Sequence, residues 1–425
     1  MFILLLASFL FYAFSGAEHA LVLFGSIVWV HLLTRGPGIE GSRARLAAAV
    51  TLPALALVFY KYLGFLLAPF GGSGESETFS LFSDVLLPAG ISFFVFQLIS
   101  FAIDRYRGDI AEPPAFAPFA LYISFFPQLV AGPIVRFHEV SAHLRSLSRY
   151  SLHRTDAGQA IAFICLGLVA KVLLADSLDS NLAFYVADPG GIAPPGAAFV
   201  VLAYSFQIYF DFFGYSLIAI GLGRLFGFHL PENFARPYEA MNPREFWRRW
   251  HMTLSFWIRD YLYLPLGGNR PYARNIVIVF AVCGLWHGAG WTFVVWGLFH
   301  GLLVIGYHRI AGLWSRWPAI VQRTCTFTLV SLGWTLFLFD FRAWGAFWRS
   351  AAGVAEARVS NPSLEMWGIV GVAALACFAF PYERWTARED HGVRATAFRT
   401  VAAAAMVTAV LVFLDRSGGF IYFRF

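Results

Sequence analysis

Charge is scarce in this chain. Asp, Glu, Lys and Arg make up 13% of its 425 residues, against about 25% in a soluble domain. Lysine is nearly absent, with Lys61 and Lys171 the only two, so the net charge of +6 rests on arginine. With 59% hydrophobic residues and a mean hydropathy of +0.64, this scarcity excludes a soluble fold for most of the chain. Cysteine is also sparse. Cys165, Cys283, Cys325 and Cys377 lie scattered in apolar runs without a CxxC pair. That excludes a disulfide framework or a zinc cluster and leaves small buried hydrophobes. Segments of about ten alternating residues are missing, which excludes a membrane barrel. There is no internal repeat, no GxSxG elbow and no P-loop. His138 and His143 stand five apart, one too many for a zinc-protease helix. The glycines at Gly221, Gly223 and Gly227 have the wrong spacing for a dinucleotide loop.

What is present is a series of apolar stretches. They fall near 2–14, 19–34, 46–70, 85–103, 115–135, 158–176, 196–223, 275–308, 324–341, 364–380 and 400–414. Several approach the roughly 20 residues that a transmembrane helix needs. The pattern predicts an all-α, polytopic helical membrane protein forming a single domain over 1–425. The first stretch has no basic residue before it, so it reads as a span or interfacial helix rather than a signal peptide. Loops 71–84 and 176–195 are acidic and rich in Gly, Pro and Ser. Loops 35–45, 105–112, 136–154, 224–249, 309–323 and 384–399 are basic. The positive-inside rule assigns the basic group to the cytoplasm and the acidic pair to the far side. Segment 115–135 then has basic loops at both ends. With Pro127, Gly132 and Pro133 to break it, it is expected to enter and leave on one face.

The run 275–308 is long for one span and short for two. It holds His287 and His300 in aromatic, apolar surroundings, with Gly284, Gly288 and Gly290 in its middle. A charged side chain at such depth costs about 2.5 kcal/mol or more. Neutral imidazole is a base suited to taking a hydroxyl proton, or it hydrogen-bonds a neighbouring helix. A broken or re-entrant helix pair would place His287 in an interior cavity.

Upstream, Pro243-Arg-Glu-Phe-Trp-Arg-Arg-Trp-His251 continues into Ser255. As one helix it would put Arg244, Arg248, His251 and Ser255 near one face. Two readings are open: an interfacial helix with snorkelling arginines, or a binding surface for a phosphate-bearing donor that aims His251 inward. Gln207 and Asp211 stand one helical turn apart in apolar sequence. Asp211 must pair, hydrogen-bond or be protonated there.

Several motifs occur together and in order. They are Val130-Ala-Gly-Pro-Ile-Val-Arg136, Gln207-Ile-Tyr-Phe-Asp211, Leu230-Pro-Glu-Asn-Phe-Ala-Arg-Pro-Tyr238, Phe246-Trp-Arg-Arg-Trp-His251, Tyr261-Leu-Tyr-Leu-Pro-Leu-Gly-Gly-Asn-Arg270, Leu285-Trp-His-Gly-Ala289 and Phe420-Ile-Tyr-Phe. Together they resemble the membrane-bound O-acyltransferase family, and within it the bacterial alginate O-acetyltransferase branch. The resemblance departs at Phe213 and Leu217, where that branch usually carries Ser and Asp, so any role of those side chains is lost here.

The resemblance implies that His287 matches the family's invariant histidine, His251 its second polar site residue, and His300 a further histidine common in the branch. It implies a tunnel between broken helices, with His287 as general base and His251 or a backbone donor on the oxyanion. From their placement in the sequence, Asp211 and Gln207 form a structural hydrogen-bonded pair or support the site, and Arg136, Arg248 and Arg249, on the cytoplasmic side, meet donor phosphates or serve topology alone. The resemblance further implies acetyl-CoA as donor, an exported polysaccharide as acceptor, and a periplasmic or extracellular partner protein that completes transfer. The expected setting is the lipid bilayer of a bacterial inner membrane, with no metal ion and no nucleic acid. Alternatives are another acceptor (peptidoglycan, teichoic acid, a lipid or a small molecule), or a transporter or flippase. A transporter would show inverted repeats and paired mid-span charges.

Overall fold

A computed structural model describes residues 1–36, 38–67, 86–386 and 393–413. The acidic loop 71–84 and the 420–423 motif lie outside them. The described chain is helical, with no strand among these residues beyond one isolated bridge between Ile192 and Val359. Five helices are long and apolar enough to cross a membrane: Ala17–Thr34, Arg43–Leu67, Asp156–Ala187, Pro194–Leu225 and Trp291–Trp314. The protein is therefore a polytopic helical membrane protein. Its contacts cluster into two compact units, Met1–His153 with Leu222–Pro231, and Arg154–Gly221 with Glu232–Phe425.

In the first unit the central helix is Ile91–Arg107, with Phe94, Val95, Leu98 and Phe101 buried. Phe101 packs against Phe119 at 4.5 Å and Phe137 at 5.3 Å between ring centres. Arg105 was expected in a basic loop, but it is buried near the helix end. There it donates to the carbonyls of Thr34, Ile110 and Ala111 and faces Glu40. Its charge is spent on the helix terminus and the turn after it.

Segment 115–135 contains no helix long enough to span. It comprises Phe116–Ser124 and Phe126–Leu129, broken at Phe125. The freed backbone groups find partners: Gln128 Nε2 donates to the Tyr122 carbonyl at 2.6 Å, and the Tyr122 hydroxyl donates to Val135 O at 2.9 Å. From Phe119 to Val135 the segment is buried in protein apart from half-buried Phe126, the condition under which a broken backbone is tolerated away from water.

In the second unit, Arg154–Leu168 runs through the π-helical turn Val169–Ala175 into Asp176–Ala187. The expectation that a loop starts at 176 is thereby corrected, because the helix continues three more turns. Asp176 is buried inside it, bonded to Lys171, and so does not need water. The Pro194–Leu225 helix lies against this one backbone to backbone. A Cβ on Gly214 would stand 2.6 Å from the Gly167 carbonyl oxygen, and one on Gly221 2.7 Å from that of Ala160. Tyr272–His287, Trp291–Trp314, Ala319–Leu338 and Leu364–Phe378 follow, with the short helix Phe341–Ala351 between the last two.

Candidate functional site

The Pro243–Arg249 helix begins on Asn242, whose side chain accepts from Glu245 N at 2.8 Å, with Pro243 in its first turn. It stops at Trp250. His251 then adopts a left-handed backbone (φ 44°, ψ 55°) before Met252–Ile258 resumes a helix. This corrects the expectation of one continuous helix through His251, although Arg248, His251 and Ser255 still line a common cavity. The cause is a strut from upstream. Ala235 N–H donates to Arg249 O at 3.0 Å and Met252 N–H to Asn233 O at 2.9 Å. The Asn233 amide in turn donates to Ser216 Oγ and accepts from Thr253 Oγ1 at 2.6 Å. A non-glycine residue in this region costs about 1 kcal/mol or more, and these bonds hold it there. The turn aims His251 inward, 1% exposed, while Arg244 and Arg248 remain outside.

His287 ends the Tyr272–His287 helix, and Gly288-Ala289-Gly290 links it to Trp291–Trp314. The break thus falls at 288–290, while Gly284 lies within the helix and serves contact. A Cβ on Gly284 would strike the Phe293 carbonyl, and one on Gly297 the Phe280 carbonyl. The two helices close as a hairpin with almost no gap.

His251, His287 and His300 enter one aromatic cluster. Trp286 lies 6.0 Å from His251 and 4.9 Å from His287, and Trp296 lies 5.1 Å from His287 and 5.0 Å from His300. Phe212 stands edge-on to His251 at 4.6 Å, and Phe337 lies 5.3 Å from His287. Trp247 and Trp334 close around His300, whose ring nitrogens have no hydrogen-bond partner among the described residues. A cavity of about 180 Å³ opens at this cluster, lined by Trp247, Arg248, His251, Ser255, Phe280 and Cys283 among others. His251 reaches this cavity, and His287 is not among its lining residues. Burial lowers the His251 pKa to about 3, so its imidazole is neutral at physiological pH.

The structure carries Gln207 and Asp211 to different partners. Lys171 Nζ lies 2.6 Å from both Asp211 and Asp176, and Gln207 Nε2 donates to Asp179 Oδ1 at 2.8 Å. Lys171, Asp176 and Asp179 were not singled out in the sequence. The signal was available, since a lysine inside an apolar helix requires a counter-charge.

The arginines separate by partner. Arg136, in the first unit, holds Glu139 at 2.8 Å and caps Phe137–Ser146. Arg249 holds Glu245 at 2.5 Å. Arg248 is exposed at the cavity and makes no hydrogen bond or ion pair among the described residues. Arg236 bonds Glu239 at 2.7 Å and Glu383 at 2.6 Å. Burial would raise the Glu383 carboxyl, but the bonds from Arg236 outweigh it and hold the group low. Among the described residues no group of three or more His, Cys, Asp or Glu side chains could hold a metal ion.

Comparison with known proteins bears on the family to which the chain belongs. Over residues 109–326 the chain matches the profile of the MBOAT, membrane-bound O-acyltransferase family. It is 35% identical over 371 residues to a peptidoglycan O-acetyltransferase of Helicobacter pylori, covering 79% of this chain and 70% of that protein. It is 37% identical over 361 residues to the probable alginate O-acetylase AlgI of Pseudomonas aeruginosa, covering 79% and 66%. A teichoic acid D-alanyltransferase of Streptococcus thermophilus is 32% identical over 228 residues, covering 50% and 55%. The chain thus spans about two thirds of the length of that alginate relative. The matched span contains all three histidines of the cluster, and on these grounds the chain belongs to the membrane-bound O-acyltransferase family.

Proposed function

We propose that this O-acyltransferase moves an acetyl group from a cytoplasmic thioester, acetyl-CoA, to a hydroxyl of an exported polysaccharide. Transfer is direct or relayed through a periplasmic or extracellular partner protein, and the chain sits in a bacterial inner membrane. The observation that carries the reading is the buried cluster of His251, His287 and His300 around Trp286 and Trp296, at the break between two helices.

In this reading His287 takes the acceptor hydroxyl proton as the oxygen attacks the carbonyl carbon. The carbonyl oxygen gains negative charge, which neutral His251 or a backbone N–H near 288–290 meets as donor. The tetrahedral intermediate then expels the thiolate. The C–S bond breaks, the imidazolium returns its proton to sulfur, and ester and thiol leave. Arg248, exposed at the cavity mouth, suits a donor phosphate. The names of the relatives support a polymer acceptor, and the Helicobacter pylori relative favours peptidoglycan as the second reading.

His287→Ala in purified, folded protein should lose transfer by about 10²–10⁴-fold. Acetyl transfer from labelled donor measures it. Transfer near the wild-type rate would make His287 a packing residue and refute the mechanism.

A further inference from the structure

A second cavity, of about 590 Å³, lies in the second unit beside the start of the Ala319–Leu338 helix and the end of Leu364–Phe378. Its walls differ in character. Arg323 and Thr324 stand exposed on one side, with no hydrogen bond or ion pair among the described residues. Glu239 stands at the rim as well, with Oε1 taken by Arg236 at 2.7 Å. A carboxylate accepts at two oxygens, so Glu239 retains acceptor capacity. The rest of the lining, Tyr238, Ile320, Phe327 and Phe378, is aromatic or aliphatic. Phe327 lies 5.1 Å from Tyr238 and 5.9 Å from Phe378, while Ile320 and Phe378 are open to the surroundings at 69% and 41% exposure.

An anion alone would leave the Glu239 carboxylate facing it, and a cation alone would face Arg323. A ligand with both signs satisfies both walls, and an apolar tail satisfies the lining between them. At the end of a largely apolar helix of 20 residues, the molecule with this layout is a zwitterionic phospholipid. We propose that the cavity seats a phospholipid with an ethanolamine-type headgroup. Its phosphate takes hydrogen bonds from Arg323 and Thr324, its protonated amine donates to Glu239, and an acyl chain lies over Ile320, Phe327 and Phe378. The amine matters because an ammonium with N–H donors bonds a carboxylate, whereas a quaternary ammonium does not.

Native mass spectrometry of the full chain in detergent tests this, by titration with dioleoyl-phosphatidylethanolamine and its phosphatidylglycerol and phosphatidylcholine counterparts. The ethanolamine lipid should bind most tightly. Arg323→Glu should weaken it by about tenfold, the loss of one charge-assisted hydrogen bond. Glu239→Gln should narrow the gap between ethanolamine and glycerol lipids. Should Glu239→Gln disturb the Arg236 network, stepwise N-methylation of the lipid probes the same bond without altering the protein, and affinity should fall with each N–H lost. Equal affinity for ethanolamine and choline lipids, or unchanged binding in Arg323→Glu, overturns the proposal. The readout is binding alone, so its outcome is independent of the acyl-transfer reading.

Discussion

His251 occupies a left-handed turn, is almost fully buried and touches the cavity. The unfolded imidazole takes a proton near pH 6.5 and the folded one near 3. The stability that this neutral form lends is therefore complete above 6.5 and erodes as pH falls from 6.5 toward 3. His251 accordingly does not titrate in the working range. His251→Gln should lower the rate by about a hundredfold without moving the apparent pKa of the pH–rate profile, and a displaced acid limb would contradict this. Arg248 and Arg249 should also part company. Arg248→Glu should raise donor KM by about tenfold, the worth of one phosphate contact, at unchanged Tm. Arg249→Glu, which places two carboxylates where Arg249 now holds Glu245, should lower Tm. His287 and His300 were legible in the sequence because an imidazole stands out in an apolar run, and His251 because it follows an arginine-rich stretch. The left-handed turn at His251 was not, because Asn233 and Ala235 impose it from well upstream.

At the scale of elements, the hairpin of Tyr272–His287 and Trp291–Trp314 depends on two glycines that meet backbone carbonyls. Gly297→Val should cost about 1–3 kcal/mol through overpacking and lose transfer, read as a lowered Tm with lowered turnover. Gly306→Ala, in the same helix with open space around it, should be neutral or stabilising. The order of helices was readable from hydropathy, because each apolar stretch had to bury itself. The exact break was not, because glycine marks close approach as readily as it marks a bend. Segment 115–135 was legible for a different reason: prolines and flanking arginines outweighed its apolar composition. Its longest helix, Phe116–Ser124 with nine residues, reaches about 14 Å of the roughly 30 Å hydrocarbon core. Cysteines at the exposed positions Asp109 and Ser146 should both react only from the cytoplasmic side. Reaction of the second from outside would invert the topology after this point.

At the scale of the molecule, the two longest helices form one body. Lys171 bonds Asp211 and Asp176 between and within them, and Gly167 meets Gly214 backbone to backbone. Lys171→Met would leave two buried carboxylates without their cation. It should cost about 3–5 kcal/mol, and Lys171→Arg should recover part of the lost Tm. The apolar surroundings of Asp211 in the sequence required a partner for it but did not tell which helix would supply it, since that depends on how the helices face. Both Asp156–Ala187 and Pro194–Leu225 have 32 residues, about 48 Å each, while the hydrocarbon layer is about 30 Å thick. The pair must lean or project from it. Joined by glycines and a shared lysine, the two helices should respond to a change in bilayer thickness together. Phe212, on the second of them, rests edge-on against His251. A change in bilayer thickness should therefore shift Phe212 against His251, and turnover should vary with the acyl length of the lipids in which the enzyme is reconstituted.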